Sequence, residues 1–115
     1  MNKENNVVKI CVPSTGEGLE SQIDPRFGRC KYFTLIEIEN GKILNIKSEK
    51  NIGAEQSSGA GIAAAEKAIE LGANVVLASD VGPKSKEILD QLGVKIVKAS
   101  GIIKDAVDEY INKSI

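Results

Sequence analysis

The sequence predicts an α/β domain in which a mixed five-stranded sheet is flanked by three helices. Three observations support this prediction. A short β-branched run opens the pattern, a tight-turn signal then joins two alternating segments, and glycine-terminated helical segments finally alternate with apolar runs. The 115 residues suit a single domain over 1–115, in which the polar residues 1–6 are expected to be disordered.

The amino-terminal half is expected to form a three-stranded antiparallel meander. Val7–Val12 is a β-branched apolar run typical of a buried strand, and the glycine-containing Pro13–Cys30 follows it as a long loop. Asn40–Gly41 is a strong turn signal that joins two strands into a hairpin. Those two strands are Tyr32–Glu39 and Lys42–Ser48.

The carboxyl-terminal half is expected to alternate helices with two strands that join the sheet in parallel through right-handed crossovers. Glycines end the first two helices, and a first-turn proline opens the second. The predicted elements are helix Ala60–Leu71, strand Asn74–Ala78, helix Pro83–Leu92, strand Val94–Val97 and helix Ile102–Asn112. The first strand is expected to lie between the hairpin and the fourth strand.

Apolar residues at helical spacing indicate which helix faces point inward. The inward-facing residues are expected to be Ile62, Ala65 and Ile69 on the first helix, Ile88, Leu89 and Leu92 on the second, and Ile103, Val107, Tyr110 and Ile111 on the third. Ser100 is expected to cap the third helix.

The strand directions bring the unusual loops together. The loops Pro13–Lys31, Glu49–Gly59, Ser79–Lys84 and Lys98–Gly101 all leave the same edge of the predicted sheet. In open sheets that contain parallel strands, ligands bind beyond the carboxyl ends of those strands. The sequence therefore predicts a ligand site at this edge.

The segment Asp24–Cys30 carries both arginines of the chain, Arg26 and Arg29. Arginine presents a rigid fork of donors that suits a carboxylate or a phosphate, and Gly28 permits a close approach of the backbone to a ligand. The alternative is a surface turn with Phe27 in the core and both guanidinium groups in solvent. Arg26, Phe27, Gly28 and Arg29 are candidate cofactor-binding residues.

Two further loops lead into helices. In the first, Ser57 or Ser58 is expected to cap the helix, which would aim its backbone amides at an anion, and Gly59 and Gly61 permit close packing. In the second, Asp80 or Gly82 is a candidate cap and Lys84 a candidate anion ligand. Plain capping and tight packing explain both loops equally well. Ser57, Ser58, Gly59, Gly61, Asp80, Gly82 and Lys84 complete the candidate cofactor-binding set.

The cysteines, Cys11 and Cys30, lie at the ends of neighbouring antiparallel strands in the predicted sheet. Two close thiols would ligate a soft metal or an iron–sulfur species, or form a redox disulfide. Cys11 is favoured as a small buried hydrophobe. Cys30 is the better metal ligand, because Arg29 and Lys31 beside it are expected to lower its pKa.

Composition excludes several classes of function. The chain lacks histidine, which removes imidazole catalysis and histidine-containing zinc sites. A net charge of −1 and 3% aromatic residues argue against a nucleic-acid partner, and the polar start and the absence of long apolar runs argue against a membrane. A cytoplasmic, non-enzymatic protein is expected. A two-metal nuclease is not expected, because Val7–Val12 holds no carboxylate and Asp80 alone does not make a two-metal site.

Several segments, in their order and spacing, resemble the dinitrogenase iron–molybdenum cofactor biosynthesis family, which includes nitrogenase accessory factors. They are KICVPST, FGRC with the following YFTLIEIENGKI, SSGAGIAAAE and VVLASDVGPKSKEILDQLGVKIV, and they cover approximately Val8–Tyr110. The resemblance implies a ribonuclease H-like fold and a non-catalytic role in carrying an iron–sulfur or iron–molybdenum cluster, with a cofactor-assembly protein as partner.

One departure from the family pattern bears on that role. The FGR element of the family often carries a nearby histidine, whereas this chain has none. Cluster ligation by histidine is therefore not expected. The alternative function is a module that binds a small anion or a phosphorylated metabolite through the two helix amino termini, without a metal.

Overall fold

A computed structural model describes residues 7–114, and the disorder expected for residues 1–6 lies outside this range. One sheet of five strands runs through the domain in the order β3-β2-β1-β4-β5. Its strands are β1 (Val7–Ser14), β2 (Tyr32–Glu39), β3 (Lys42–Lys50), β4 (Val75–Ala78) and β5 (Lys95–Lys98). The predicted α/β fold class is confirmed.

The pairing of the strands follows the prediction. β1 is antiparallel to β2, which is antiparallel to β3, while β4 is parallel to both β1 and β5. β1 therefore lies between the hairpin and the fourth strand, as predicted. The apolar run of β1 is central because it has a pairing partner along each edge, which suits its β-branched composition.

Three helices cover the sheet: α1 (Ala60–Glu70), α2 (Pro83–Gln91) and α3 (Ile103–Ser114). The buried side chains of α1 and α2 share one apolar cluster with Cys11, Phe33 and Leu35. The buried side chains of α3 share a second cluster with the alternate residues Ile10 and Val12. Because successive strand residues face opposite sides, α1 and α2 cover one face of the sheet and α3 covers the other.

The predicted inward faces are right for most residues. Ala65, Leu89, Ile103 and Val107 are buried, and Ile69, Ile88, Tyr110 and Ile111 pack against the clusters from partly buried positions. Ile62 is only half-buried and lies at a groove described below.

The inward position expected for Leu92 is wrong. Leu92 is 62% exposed, and the next apolar residue, Val94, is buried in its place. The backbone of Leu92 has left helical geometry, with φ −100° and ψ 12°, so the helical spacing no longer sets its direction.

Among residues 7–114, no helix has both the length and the apolar character needed to cross a bilayer.

Candidate functional site

The loop rim is the sheet edge that carries residues 15–31, 51–59, 79–82 and 99–102. β1, β3, β4 and β5 all run toward this edge, because β3 is two antiparallel steps from β1 and the other two strands are parallel to it. The predicted gathering of loops on one edge therefore exists. What each loop contacts decides whether it has room for a ligand.

Gly28 brings the Asp24–Cys30 segment onto the amino-terminal end of α1. A Cβ atom built on Gly28 would lie 2.7 Å from the amide nitrogen of Gly61 and 2.8 Å from the carbonyl carbon of Ala60. No side chain fits in that space, so only glycine allows the two backbones to approach so closely. Two of the predicted site segments are therefore in direct contact.

Gly61 in turn brings α1 against α2. A Cβ atom built on Gly61 would lie 2.7 Å from the Oγ atom of Ser85 in the first turn of α2. Between the two helix ends lies a shallow groove of about 430 Å³, which we call the α1/α2 groove. Its lining residues are Gly59, Gly61, Ile62, Gly82, Pro83, Lys84 and Ser85.

Neither helix at this groove has a side-chain cap. The residue that precedes α1 is Gly59, with φ 77°, and no side chain bonds to the first turn. The expected capping by Ser57 or Ser58 is wrong: the chain enters α1 through the left-handed backbone of Gly59, and both serines are exposed. Gly82 precedes α2, as predicted, again without a side-chain bond, so Asp80 is not the cap.

The amino-terminal end of α3 differs, because the loop after β1 closes it. The amides of Ile103 and Lys104 donate to the carbonyl oxygens of Ser21 and Leu19, at 2.9 and 3.0 Å. The buried Ile23 anchors this loop, and its amide donates to the carbonyl oxygen of Gly101 at 2.8 Å. Ser100 is not adjacent to α3, which begins at Ile103.

Arg26 is bound to a carboxylate of its own segment. Its Nε and Nη2 atoms donate to the two carboxylate oxygens of Asp24 at 3.2 and 3.3 Å, and its amide donates to the same group at 2.9 Å. The Asp24 side chain is 5% exposed and that of Arg26 is 68% exposed. Arg26 therefore compensates a buried charge, while most of its own side chain remains exposed to solvent.

Arg29 binds the loop that follows β3. Its Nη1 atom donates to the carbonyl oxygen of Ala54 at 2.8 Å and also to that of Gln56. Asn51 holds the other side, since its Nδ2 atom donates to the carbonyl oxygens of Gly28 and Cys30 at 3.1 and 2.9 Å. Hydrogen bonds at Gly28, Arg29 and Cys30 therefore hold this segment against the loop after β3.

Phe27 and the two cysteines lie beneath the rim rather than on it. Phe27 is 4% exposed and packs edge-to-face on Phe33, with ring centroids 6.2 Å apart. Cys11 and Cys30 are fully buried in the same apolar cluster. Of the residues predicted to bind a ligand, these three are buried.

The lowered pKa expected for Cys30 is wrong. Burial raises the pKa of Cys30 to about 12, and the negative charge of Asp24 adds to the shift. Arg29 does not oppose this shift, because its guanidinium binds the loop carbonyl oxygens of Ala54 and Gln56 instead. Burial likewise raises the pKa of Cys11 to about 12, with a further contribution from Cys30. Both thiols are neutral at physiological pH.

The described residues do not form a ready-made metal site. No group of three or more cysteines, aspartates or glutamates with metal-binding geometry occurs within residues 7–114. The cysteines share one cluster but have no third ligand beside them, and neutral buried thiols are poor metal ligands. At the α1/α2 groove the available groups are backbone amides, the Ser85 hydroxyl and the Lys84 ammonium.

Sequence reasoning missed three residues of this region: Asp24, Asn51 and Ser85. Asp24 stands two residues before Arg26, a spacing typical of a side chain that bonds its own following backbone, so the motif contained a signal for it. Asn51 and Ser85 act on residues distant in the chain, and no local pattern marks them.

A protein-family model matches most of the chain. The model described as dinitrogenase iron-molybdenum cofactor matches residues 8–113. Among proteins of known sequence, MJ0580 of Methanocaldococcus jannaschii is 31% identical over 105 residues, which make up 91% of this chain and 83% of that protein.

Solved structures share the fold. The apo form of the orange protein of Desulfovibrio gigas superposes with a TM-score of 0.82 at 30% identity, over 91% of this chain and 88% of that one. The NMR structure of TM1290 from Thermotoga superposes with a TM-score of 0.75 at 28% identity, again over 91% and 88% of the two chains.

Proposed function

The chain belongs to the dinitrogenase iron-molybdenum cofactor family, and from this premise we propose that it is a non-catalytic carrier of an iron–sulfur or iron–molybdenum type cluster. Its role is accessory to metallocofactor assembly. The observation that carries the proposal is the convergence of two uncapped helix amino termini at the α1/α2 groove.

Electrostatics make this groove a place for an anion. Each helix amino terminus carries about half a positive elementary charge, and its first amides point outward as donors. Two such ends meet where a Cβ atom on Gly61 would lie 2.7 Å from the Oγ atom of Ser85. Lys84 lines the same groove and adds a full charge. Metal–sulfide clusters are anions, so amides and a lysine suit them as cargo.

The proposal does not use the thiols as ligands in the folded state. Cys11 and Cys30 are fully buried, and ligation would require the Asp24–Cys30 segment to leave the core. That movement would expose Phe27 and break the bonds from Asn51 to Gly28 and Cys30. The cluster is instead held from outside by hydrogen bonds and charge, which leaves it free to be passed to an assembly protein.

The carboxylates of the rim bear on whether the protein is a nuclease. Asp24 is the buried carboxylate of the rim, and its oxygens already bind Arg26. A two-metal nuclease centre would need several free carboxylates together. We therefore propose no catalytic residue and no nucleic-acid partner, and the cytoplasmic location stays a prediction.

Anaerobic uptake of a cluster tests the proposal. The purified protein is mixed with an iron–sulfur cluster assembled from iron, sulfide and a small thiol, and is then separated by gel filtration. We expect visible absorption to elute with the protein. Cys30→Ser should retain that absorption, whereas Lys84→Glu should lose most of it.

A matched control isolates the groove. Lys95→Glu makes the same change of charge at the start of β5, at the opposite edge of the sheet, and should leave uptake unchanged. Uptake that is absent in the native protein, or that Lys84→Glu and Lys95→Glu reduce equally, would count against a carrier that uses this groove.

A further inference from the structure

We propose that the α1/α2 groove is an oxyanion site in which the Ser85 hydroxyl donates to a single tetrahedral oxyanion, such as inorganic phosphate, sulfate or molybdate. The inference rests on the proposed function in locating the ligand at this groove. It goes further by naming a donor side chain and the size and charge of the group that it binds.

Ser85 is the exception among the buried polar residues. The residues of this kind within 7–114 are Ser14, Asp24, Thr34 and Ser85. The hydroxyls of Ser14 and Thr34 bond each other at 2.9 Å, and Asp24 binds Arg26. Ser85 is 4% exposed and its Oγ atom has no hydrogen-bond partner within the described residues. A buried hydroxyl without a partner is costly, and a bound acceptor removes that cost.

The hydroxyl lines the groove where the two helix ends touch. Its Oγ atom lies 2.7 Å from the position that a Cβ atom on Gly61 would take, so it packs against the bare backbone of Gly61 in the first turn of α1. Any larger residue at position 61 would collide with this oxygen. Glycine at position 61 therefore lets the hydroxyl lie at the contact of the two helix ends, in the wall of the groove.

The amides around the hydroxyl are free of side-chain caps. The first backbone bond within α1 runs from the amide of Ala63 to Gly59, and that within α2 runs from Lys86 to Gly82. The amides of residues 60–62 and 84–85 precede those bonds and lack capping side chains. Because Ser85 belongs to this turn, its own amide and hydroxyl can serve one ligand together.

The donor set favours a small anionic group. The groove holds about 430 Å³, is open to solvent, and is lined mainly by glycine, proline and isoleucine. Lys84 is the charged residue of its lining. One compact anion with several acceptor oxygens matches a short row of amides, a hydroxyl and one lysine. A larger cargo would meet these donors with one compact anionic group and extend beyond them into solvent.

Titration calorimetry with sodium phosphate, sulfate and molybdate tests the inference on the native chain and on Ser85→Ala. We expect at least one oxyanion to bind, and Ser85→Ala to weaken that binding about tenfold or more. Ser79→Ala removes another rim hydroxyl, which bonds to Ala99, and should leave affinity unchanged. Amide shifts in heteronuclear NMR should be concentrated at residues 60–62 and 84–85.

The melting temperature of the free protein separates a ligand donor from a packing residue. Ser85→Ala should melt at or above the native temperature, because it removes an unsatisfied buried hydroxyl. A fall in melting temperature with unchanged oxyanion affinity would overturn the inference, as would an absence of binding by all three anions.

The two proposals fail in different ways. Cluster uptake that Ser85→Ala leaves intact, together with no oxyanion binding, would overturn this inference and leave the carrier function standing. Oxyanion binding that depends on Ser85, in a protein that takes up no cluster, would uphold the site and overturn the carrier function.

Discussion

The amino-terminal ends of α1 and α2 and that of α3 lie on the same rim but meet different surroundings. The first amides of α3 bond to the carbonyl oxygens of Leu19 and Ser21, so the chain itself satisfies them. The first turns of α1 and α2 have no side-chain cap and border a groove. All three helices carry the same positive partial charge at this end.

The difference separates a structural helix end from one that is available to a ligand. A closed end contributes to folding, because its donors are paired in the native chain. An open end leaves donors to water until an acceptor arrives. The strand order brings all of these ends to one edge, and only the local contacts decide which of them can bind.

Breaking the closed end should have the largest effect. Ile23→Ala removes a side chain that is 4% exposed and anchors the loop that covers α3. We expect a loss of about 2–4 kcal/mol in the free energy of unfolding, measured by urea denaturation. Hydrogen exchange at Ile103 and Lys104 should quicken more than exchange at the amides in the middle of α3.

Ile52→Ala is the control, because Ile52 is 94% exposed and should be neutral. Equal stability of the two variants would mean that the loop does not hold α3.

Separating the Asp24–Cys30 segment from α1 should have the next largest effect. Gly28→Ala places a Cβ atom within 2.7–2.9 Å of backbone atoms of Ala60 and Gly61, where no rotation of a side chain can relieve the contact. We expect destabilisation of about 1–3 kcal/mol, read from thermal melting.

Gly82→Ala is the matched glycine, since no atom lies within 4 Å of its added Cβ and its φ is −62°. Its cost should be about 0.5 kcal/mol, the scale of a changed cap. If Gly28→Ala destabilises the protein no more than this control does, the close backbone contact does not contribute to stability.

Alkaline pH should weaken the core beneath the open ends. The pKa of each thiol rises from 9.0 in the unfolded chain to about 12 in the fold. Above pH 9 the unfolded state releases these protons first, so stability is complete below pH 9 and falls between pH 9 and 12. At pH 10 the loss should be about 1 kcal/mol for each thiol.

Denaturation curves at pH 8 and pH 10 measure this loss. In the double variant Cys11→Ala and Cys30→Ala the difference between the two pH values should shrink. An unchanged difference would assign the alkaline sensitivity to other groups.

Closing the open end should have the smallest effect on stability. Gly82 has the extended backbone of a good cap, with φ −62° and ψ 163°. Gly82→Asp supplies a capping carboxylate and should stabilise the protein by about 0.5 kcal/mol. The same change should abolish oxyanion binding, because the groove would then hold its own anion. Retained binding with a raised melting temperature would place the ligand elsewhere.

The fold was largely predictable because its signals are local. The Asn40–Gly41 turn fixes the hairpin, and the β-branched run at Val7–Val12 suits a strand paired on both sides. Boundaries shifted by one or two residues where the chain leaves helical geometry, as at Leu92. Local spacing cannot describe a residue once its backbone conformation has changed.

The candidate site was predictable in position but not in contacts. Strand directions alone place the loops on one edge. They do not show that Arg29 turns toward the carbonyl oxygens of Ala54 and Gln56, or that Cys30 lies in the core. The prediction of a reactive thiol failed because neighbours in sequence were taken as neighbours in space. Ser85 was not predicted as a site residue, because its place beside Gly61 depends on how α1 packs against α2.

The loop that closes α3 has a consequence for the order of folding. It joins residues 19–23 to residues 101–104, so the first long loop of the domain completes its contacts only against the last helix. The β1–β2–β3 meander uses short separations along the chain and should form early, whereas this closure spans most of the sequence and should form late. During synthesis the contacts of this loop should therefore stay unformed until α3 has been made. In refolding experiments, Ile23 should become buried in the final phase.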